Sequence, residues 1–213
     1  MTGLKIDNLT IHHQGAALAR LHGHIPPGQV LTVMGPSGSG KSTLLAALIG
    51  ALPPGFSTTG SVTLNGRAVM DLPTQDRRIG LLYQDDVLFP HLSVEQNLGF
   101  GLTPGIGKAE RRAHIHAMLD RIGLAGLGPR DPATLSGGQR ARVALARTLL
   151  AAPEALLLDE PFSRLDQALR AQIRALVFEL AATLPVILVT HDAEDARAAA
   201  GPVVDAMGNT LSL

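Results

Sequence analysis

Gly35, Gly38, Gly40, Lys41 and Ser42 stand in the order G-x-x-x-x-G-K-S, with Pro36, Ser37 and Ser39 in the gaps and Thr43 directly after. Glycines at this spacing let the backbone curl until consecutive N–H groups point inward, an arrangement that holds phosphate oxygens. Lys41 is then placed to reach the outer phosphates of a nucleotide, and the Ser42 hydroxyl to ligate Mg²⁺. Much further along, Ala155 and three leucines run into Asp159 and Glu160. An acid at a strand end holds Mg²⁺ through water, and a second acid beside it orients and polarises an attacking water. Any buried strand ending in acids would match that second pattern. Behind a phosphate loop it points to hydrolysis of a phosphoanhydride.

The elements around these residues are those the chemistry needs. Residues 29–34 read as a buried strand and 42–49 as a helix stopped by Gly50, so the glycine loop lies between strand and helix. The helix N-terminus adds partial positive charge where phosphate would sit. Upstream, residues 3–11 alternate with one slip and 17–25 alternate more cleanly, both predicting strands. His22 and His24 share the polar face of the second, where solvent is the simplest neighbour. Residues 61–69 carry a hairpin signal around Asn65-Gly66. Together these pieces predict a small antiparallel sheet beside a parallel one.

Residues 78–83 predict another buried strand, ending at Gln84. Ser93 and Gln96 then form a capping-box pattern, and residues 107–122 have helical spacing flanked by His114 and His116. A glycine-rich stretch at 123–132 follows. This predicts a helical subdomain over about 89–134, inserted into an α/β core of about 1–88 and 135–213. The core resumes with a long helix from Gly137, a strand at 155–158, a helix at 166–182 and a strand at 185–190. His191 stands at the end of that last strand, where ligands bind in such sheets.

Composition narrows the classes. The 213 residues are 46% apolar and 17% charged, enough for a packed core, and 18 basic residues balance 18 acidic ones. That balance argues against nucleic acid as a partner. There is no cysteine, which excludes disulfides and thiolate metal sites. No apolar run approaches the roughly 20 residues that span a bilayer, and the start does not read as a signal peptide, so a soluble protein is expected.

Leu135, Ser136, Gly137, Gly138 and Gln139 add a second glycine-rich helix start. It reads either as another anion-binding corner or as a capped helix with a flexible glycine pair. The chain holds one phosphate loop, so a second such corner makes sense if it serves the nucleotide of another subunit.

With these residues in order, the chain resembles the ATP-binding cassette (ABC) family over nearly its whole length. The Walker A motif is similar to 35–42, the Walker B motif to 156–160, the signature to 135–139, the Q-loop glutamine to Gln84, the D-loop aspartate to Asp166 and the switch histidine to His191. The stretch 86–102 resembles the importer branch, and short cassettes of that type include thiamine ones. The resemblance implies an α/β P-loop NTPase fold with a mostly parallel core sheet, a small antiparallel subdomain and an inserted α-helical subdomain. It implies ATP and Mg²⁺, with Glu160, His191 and Gln84 catalytic and Ser42, Gln84 and Asp159 around the metal. Gly35, Pro36, Ser37, Gly38, Ser39, Gly40, Lys41, Ser42 and Thr43 would hold one end of the nucleotide. Ser136, Gly137, Gly138, Gln139 and Asp166 of a second subunit would close over it.

It further implies a homodimer beneath two transmembrane permease subunits at the cytoplasmic face of the inner membrane, fed by a periplasmic or lipid-anchored binding protein. An exporter cassette and a non-transport ABC ATPase are the alternatives; a P-loop kinase leaves 135–139 unexplained. Two positions depart from the family pattern. Where an aromatic residue usually stacks on adenine, the chain has Ile11, His12 and His13, so adenine is expected to stack on the imidazole of His13, on that of His12, or on neither. Where the D-loop usually carries a small residue stands Arg164, expected to pair with a carboxylate of the other subunit or to face water. Val87, Leu88, Phe89 and Pro90 follow Gln84 as an apolar group, expected either to receive a coupling helix of the membrane subunit or to be buried in the helical subdomain.

Overall fold

The computed structural model describes residues 2–85 and 87–212. Its chain divides into two compact units, one of residues 1–81, 154–161 and 178–213, the other of 82–153 and 162–177.

The first unit holds two sheets. In the antiparallel one, β1 (Leu4–His13) lies between β2 (Ala16–Ile25) and β4 (Phe56–Leu64), with the short β5 (Arg67–Ala68) beyond. The slip in the alternation of β1 is a β-bulge between Ile6 and Leu9, with Asn8 at φ 50°. Gly60 faces that bulge because a Cβ there would come within 2.3 Å of the Asn8 carbonyl oxygen. The second sheet has the order β6 (Ile79–Leu82), β7 (Ala155–Asp159), β8 (Val186–Thr190), β3 (Val30–Met34) and β9 (Val203–Asp205). From β7 to β9 the neighbours are parallel. β7 and β8 are buried on both faces, as parallel strands covered on both sides must be, which is why they read as unbroken apolar runs.

One apolar cluster joins the inner residues of β1, β2 and β4 to α1 (Lys41–Ile49) and to β3, β7 and β8. Because Leu44, Leu45, Ala47, Leu48 and Ile49 are all buried, α1 is enclosed around most of its circumference. Its C-terminal carbonyls are met by a buried cation: Arg77 donates to the oxygens of Ala47 and Leu48, each at 2.9 Å. A helix in the chain's last third, α6 (Ala193–Ala199), starts on the side chain of Asp192.

The helical unit contains α2 (Val94–Gly101), α3 (Lys108–Arg121), α4 (Gly137–Leu150) and the start of α5 (Gln167–Leu180). It takes in more of the chain than the expected 89–134. The reason is packing: α2 lies along α4, so closely that a Cβ on Gly101 would meet the Arg147 carbonyl oxygen. Periodicity announces α4 as a helix but does not say which neighbour its apolar face will cover. The Ser93–Gln96 capping box is formed as the sequence predicts.

Candidate functional site

In the first unit, β3 delivers the chain into the glycine loop and α1 begins at Lys41. Gly38 and Gly40 have φ of 82° and 91°, values that favour glycine, and a Cβ on Gly40 would press on Leu18 at 3.0 Å. Lys41 is buried, and its Nζ donates to the carbonyl oxygens of Gly35 and Pro36, each at 2.8 Å. The ammonium is thereby folded over the loop it belongs to. Ser39 Oγ is buried there without a hydrogen-bond partner.

Ser42 Oγ donates to Asp159 Oδ1 at 3.0 Å, joining the start of α1 to the end of β7. Burial pushes the Asp159 carboxyl above its ordinary pKa; the Ser42 hydrogen bond opposes that shift and neighbouring Glu160 adds to it. The parallel register sets Asp159 opposite Val189, so Glu160 and His191 leave adjacent strands side by side. Glu160 has φ 45°, a conformation rare for a residue with a Cβ, and its N–H donates to the Val189 carbonyl oxygen at 2.9 Å. The carboxylate Oε2 of Glu160 then lies 3.0 Å from Nδ1 of His191. A sparsely populated backbone held by its neighbours is characteristic of functional positions.

The residues fit the groups the sequence implies. A curled loop with a buried, unpartnered Ser39 hydroxyl and an inward-folded lysine suits polyphosphate. A serine hydroxyl on a half-buried carboxylate with raised pKa is a hard-oxygen donor set that suits Mg²⁺. Among the described residues no group of three or more His, Cys, Asp or Glu is arranged to hold a metal.

His13 lies at the tip of the β1–β2 hairpin, whose turn has Gln14 and Gly15 at φ 51° and 83°. Its ring is stacked on Phe56, with centroids 4.4 Å apart and planes inclined by 16°. Sequence reasoning missed Phe56, which the β1–β4 ladder sets opposite His13. His12 instead approaches Thr59, at 3.4 Å.

The helical unit holds the remaining residues. Ser136 caps α4 in a full capping box: its Oγ accepts from the Gln139 N–H, and Gln139 Oε1 accepts from the Ser136 N–H. The capped-start reading of 136–139 is therefore realised in the chain. Gly138 is buried where a Cβ would strike Leu169. Asp166 accepts from the Leu169 N–H at 3.0 Å, and Gln84 donates through Nε2 to Ser163 Oγ at 3.2 Å. Arg164 pairs with Asp85 of its own chain, a third arrangement beside the two expected.

In the segment after Gln84, Asp86 lies outside the described residues. Phe89 is half-buried, with its ring 4.6 Å from that of Phe100 and the Arg147 guanidinium 5.1 Å from its centroid. The segment is fastened by fully buried Asn97, whose Oδ1 accepts from the Phe89 N–H and whose Nδ2 faces the carbonyl oxygens of Phe89, Leu92 and Ser93. Phe100, 67% exposed, opens a groove of about 590 Å³ lined by Leu92, Ile115, Lys108 and Arg112. Neither Asn97 nor Phe100 was singled out by the sequence reading.

A family model described as ABC transporter matches residues 18–163. The chain belongs to the ABC transporter family. This ABC chain is 53% identical over 176 residues, 82% of its length and 81% of the relative's, to an uncharacterized ABC transporter ATP-binding protein, YnjD, of Escherichia coli. It is 48% identical over 197 residues, 91% of its length and 84% of the relative's, to the thiamine import ATP-binding protein ThiQ of Cereibacter sphaeroides. Its fold matches cbiO1 from Clostridium perfringens, part of the ABC transporter complex cbiONQ, with a TM-score of 0.84 and 28% identity, covering 98% of this chain and 86% of that one. The ABC chain is an ATP-binding, ATP-hydrolysing cassette of the importer type. No helix among its described residues is long and apolar enough to cross a membrane.

Proposed function

We propose that the chain works as a homodimer beneath two membrane-spanning permease subunits, energising uptake of a small solute delivered by a binding protein on the far side. The observation that carries the hydrolytic assignment is the 3.0 Å contact of Glu160 with His191 beside the 3.0 Å contact of Ser42 with Asp159. In this reading Lys41 turns from its own loop carbonyls to the outer phosphates, and Ser42 and Asp159 hold Mg²⁺. The cation, when bound, neutralises charge on the β- and γ-phosphate oxygens. Glu160 accepts a proton from the attacking water and His191 holds that carboxylate in orientation, so the pair works as base and positioner. Gln84, by the family resemblance, takes the role of sensing the metal and the attacking water.

Ser136, Gly137, Gly138, Gln139 and Asp166 belong, in this reading, to the surface offered to a second copy of the chain. Two phosphate loops and two signatures then form two composite sites. Phe100 and the segment 87–92 form the surface offered to the permease. That surface is supported by where exposed large apolar side chains fall: of the five among the described residues, Tyr83, Val87 and Phe100 lie between 83 and 100, and Met207 and Leu211 lie near the C-terminus. The likeness to ThiQ over most of both chains makes thiamine the first substrate to test.

The deciding experiment is Glu160→Gln. The variant should bind ATP, lose turnover by a factor of about 10² or more, and accumulate as an ATP-bound dimer on size exclusion. Near wild-type hydrolysis would overturn the assignment of the base.

A further inference from the structure

We propose that Arg164 is a positioning residue for Gln84, acting through Asp85; this rests on the assignment of Gln84 to the hydrolytic reaction. Two consecutive residues of one segment meet two consecutive residues of another. Gln84 Nε2 donates to Ser163 Oγ at 3.2 Å, and the Arg164 guanidinium pairs with the Asp85 carboxylate. All four residues belong to the helical unit.

The two segments are unequally braced. On the 163–166 side, fully buried Phe162 anchors the loop, accepting at its carbonyl oxygen from the Leu165 N–H at 3.2 Å and from Arg170 Nε at 3.1 Å. At the far end Asp166 caps the start of α5 through the Leu169 N–H. On the other side Gln84 is exposed, and Tyr83 before it is 51% exposed. A carboxamide on a flexible side chain, held by one hydrogen bond to a hydroxyl, keeps wide rotamer freedom. The ion pair one residue further on fixes the backbone beside it. Arg164 therefore hands the rigidity of the 163–166 loop to Gln84. Catalytic groups lose rate steeply with small displacements, so this restraint reads out in turnover. A small residue at 164 would remove the ion pair and leave this segment its hydrogen bonds alone, those of Val87 N–H to the Asp85 carbonyl oxygen, of Arg147 to the Val87 carbonyl oxygen and of Gln84 to Ser163.

The pair is exposed, 64% at Arg164 and 59% at Asp85, so its effect is several-fold rather than orders of magnitude. Steady-state ATP hydrolysis by the full chain tests it with Gln84→Ala, Arg164→Ala, Arg164→Lys, Asp85→Ala and the charge swap Asp85→Arg/Arg164→Asp. Thermal melting of each variant checks that the fold is intact. Arg164→Ala and Asp85→Ala should each lower kcat roughly threefold with KM for ATP unchanged. Arg164→Lys should keep most of the rate, and the charge swap should recover it. At molar salt, where exposed charges are screened, wild type should fall toward Arg164→Ala. If Gln84→Ala slows hydrolysis while the single variants match wild type, or the swap stays as slow as the singles, the coupling is wrong and the role of Gln84 stands. If Gln84→Ala hydrolyses at the wild-type rate, the role of Gln84 fails and the coupling with it.

Discussion

His13 and Phe56 lie face to face as opposite residues of the β1–β4 ladder, ring centroids 4.4 Å apart. His13 is exposed and Phe56 half-buried behind it, so the hairpin tip presents a backed imidazole rather than a single aromatic ring. A Cβ on Gly40 of the glycine loop would press on Leu18, which lies on the strand that leaves this tip; we propose that the stack serves the nucleotide site.

Either ring alone offers a π-face, so the two should substitute for one another. His13→Ala and Phe56→Ala are each expected to raise the Kd for ATP by no more than about threefold. The double variant should raise it about tenfold or more, since base–aromatic stacking contributes roughly 1–3 kcal/mol. A stacked platform reads no base edge, so ATP and GTP should bind with similar affinity. Fluorescence titration of the four proteins with both nucleotides checks this, and a double variant no weaker than the singles would remove the stack from the site.

His191 should matter through Glu160. His191→Ala is expected to lower kcat at least tenfold while leaving the Kd for ATP within about twofold, because the carboxylate loses its orienting partner and not its charge. In the Glu160→Gln background the same change should cost little more, as residues that act as a unit are not additive. Single-turnover rates of both single variants and the double variant separate this from independent roles, which would multiply.

The fold was legible where one strand or helix carries its own pattern. The glycine loop, the acids ending β7 and the histidine ending β8 announce themselves because each follows an apolar run that must be a buried strand. Even the slip in β1 had structural content, since a three-residue step between Ile6 and Leu9 is the bulge. Phe56 was hidden because Pro53, Pro54 and Gly55 read as loop and the strand's first half, Ser57 to Gly60, is polar and faces no core. Its meaning comes from long-range pairing that alternation does not encode. Asn97 was hidden for a related reason: a polar residue in a helix reads as surface unless the carbonyls it serves are known. Arg164 stands out in the sequence as a departure from the small residue usual there, but its partner Asp85 sits on a segment far away in sequence.

Asn97 governs the proposed permease surface from inside. It is fully buried and serves the backbone of Phe89, Leu92 and Ser93, so Asn97→Ala leaves several part-buried polar groups without this partner. A loss of about 2–4 kcal/mol is expected in urea unfolding, assigned to the helical unit by hydrogen exchange. Phe100→Ala, by contrast, removes a side chain that is 67% exposed and should leave stability within about 0.5 kcal/mol. It should weaken assembly with the permease subunits while the isolated chain keeps hydrolysing ATP. Phe89→Ala lies between the two: its ring packs on Phe100 and beneath Arg147, so it should cost some stability and assembly as well. Co-purification with the permease subunits, set beside melting temperatures, separates the three; wild-type assembly by Phe100→Ala would move the contact elsewhere.

The last prediction concerns acid stability. Glu154 accepts from Asn65 Nδ2 at 2.9 Å and from the Arg78 guanidinium at 3.0 Å. Asn65 in turn exchanges two 2.9 Å hydrogen bonds with Gly3, its N–H to the Gly3 carbonyl oxygen and its Oδ1 to the Gly3 N–H. The Asn65 hydrogen bond first, then that of Arg78, hold the Glu154 carboxyl below its ordinary pKa, while burial opposes them. A carboxylate whose pKa is lowered by folding contributes stability that is fully present above the unfolded value. That contribution is lost as pH falls through the folded one. Arg78 is 61% exposed, so solvent screens the pair and the contribution is modest, about 1 kcal/mol. Glu154→Gln should therefore be less stable than wild type by about that amount at neutral pH, and the gap should close once the medium is acid enough to protonate Glu154 in the folded protein. Urea unfolding of both proteins across the acid limb checks this. A gap of constant size would assign the effect to shape and hydrogen-bond count, and a gap widening toward low pH would contradict the direction of the shift.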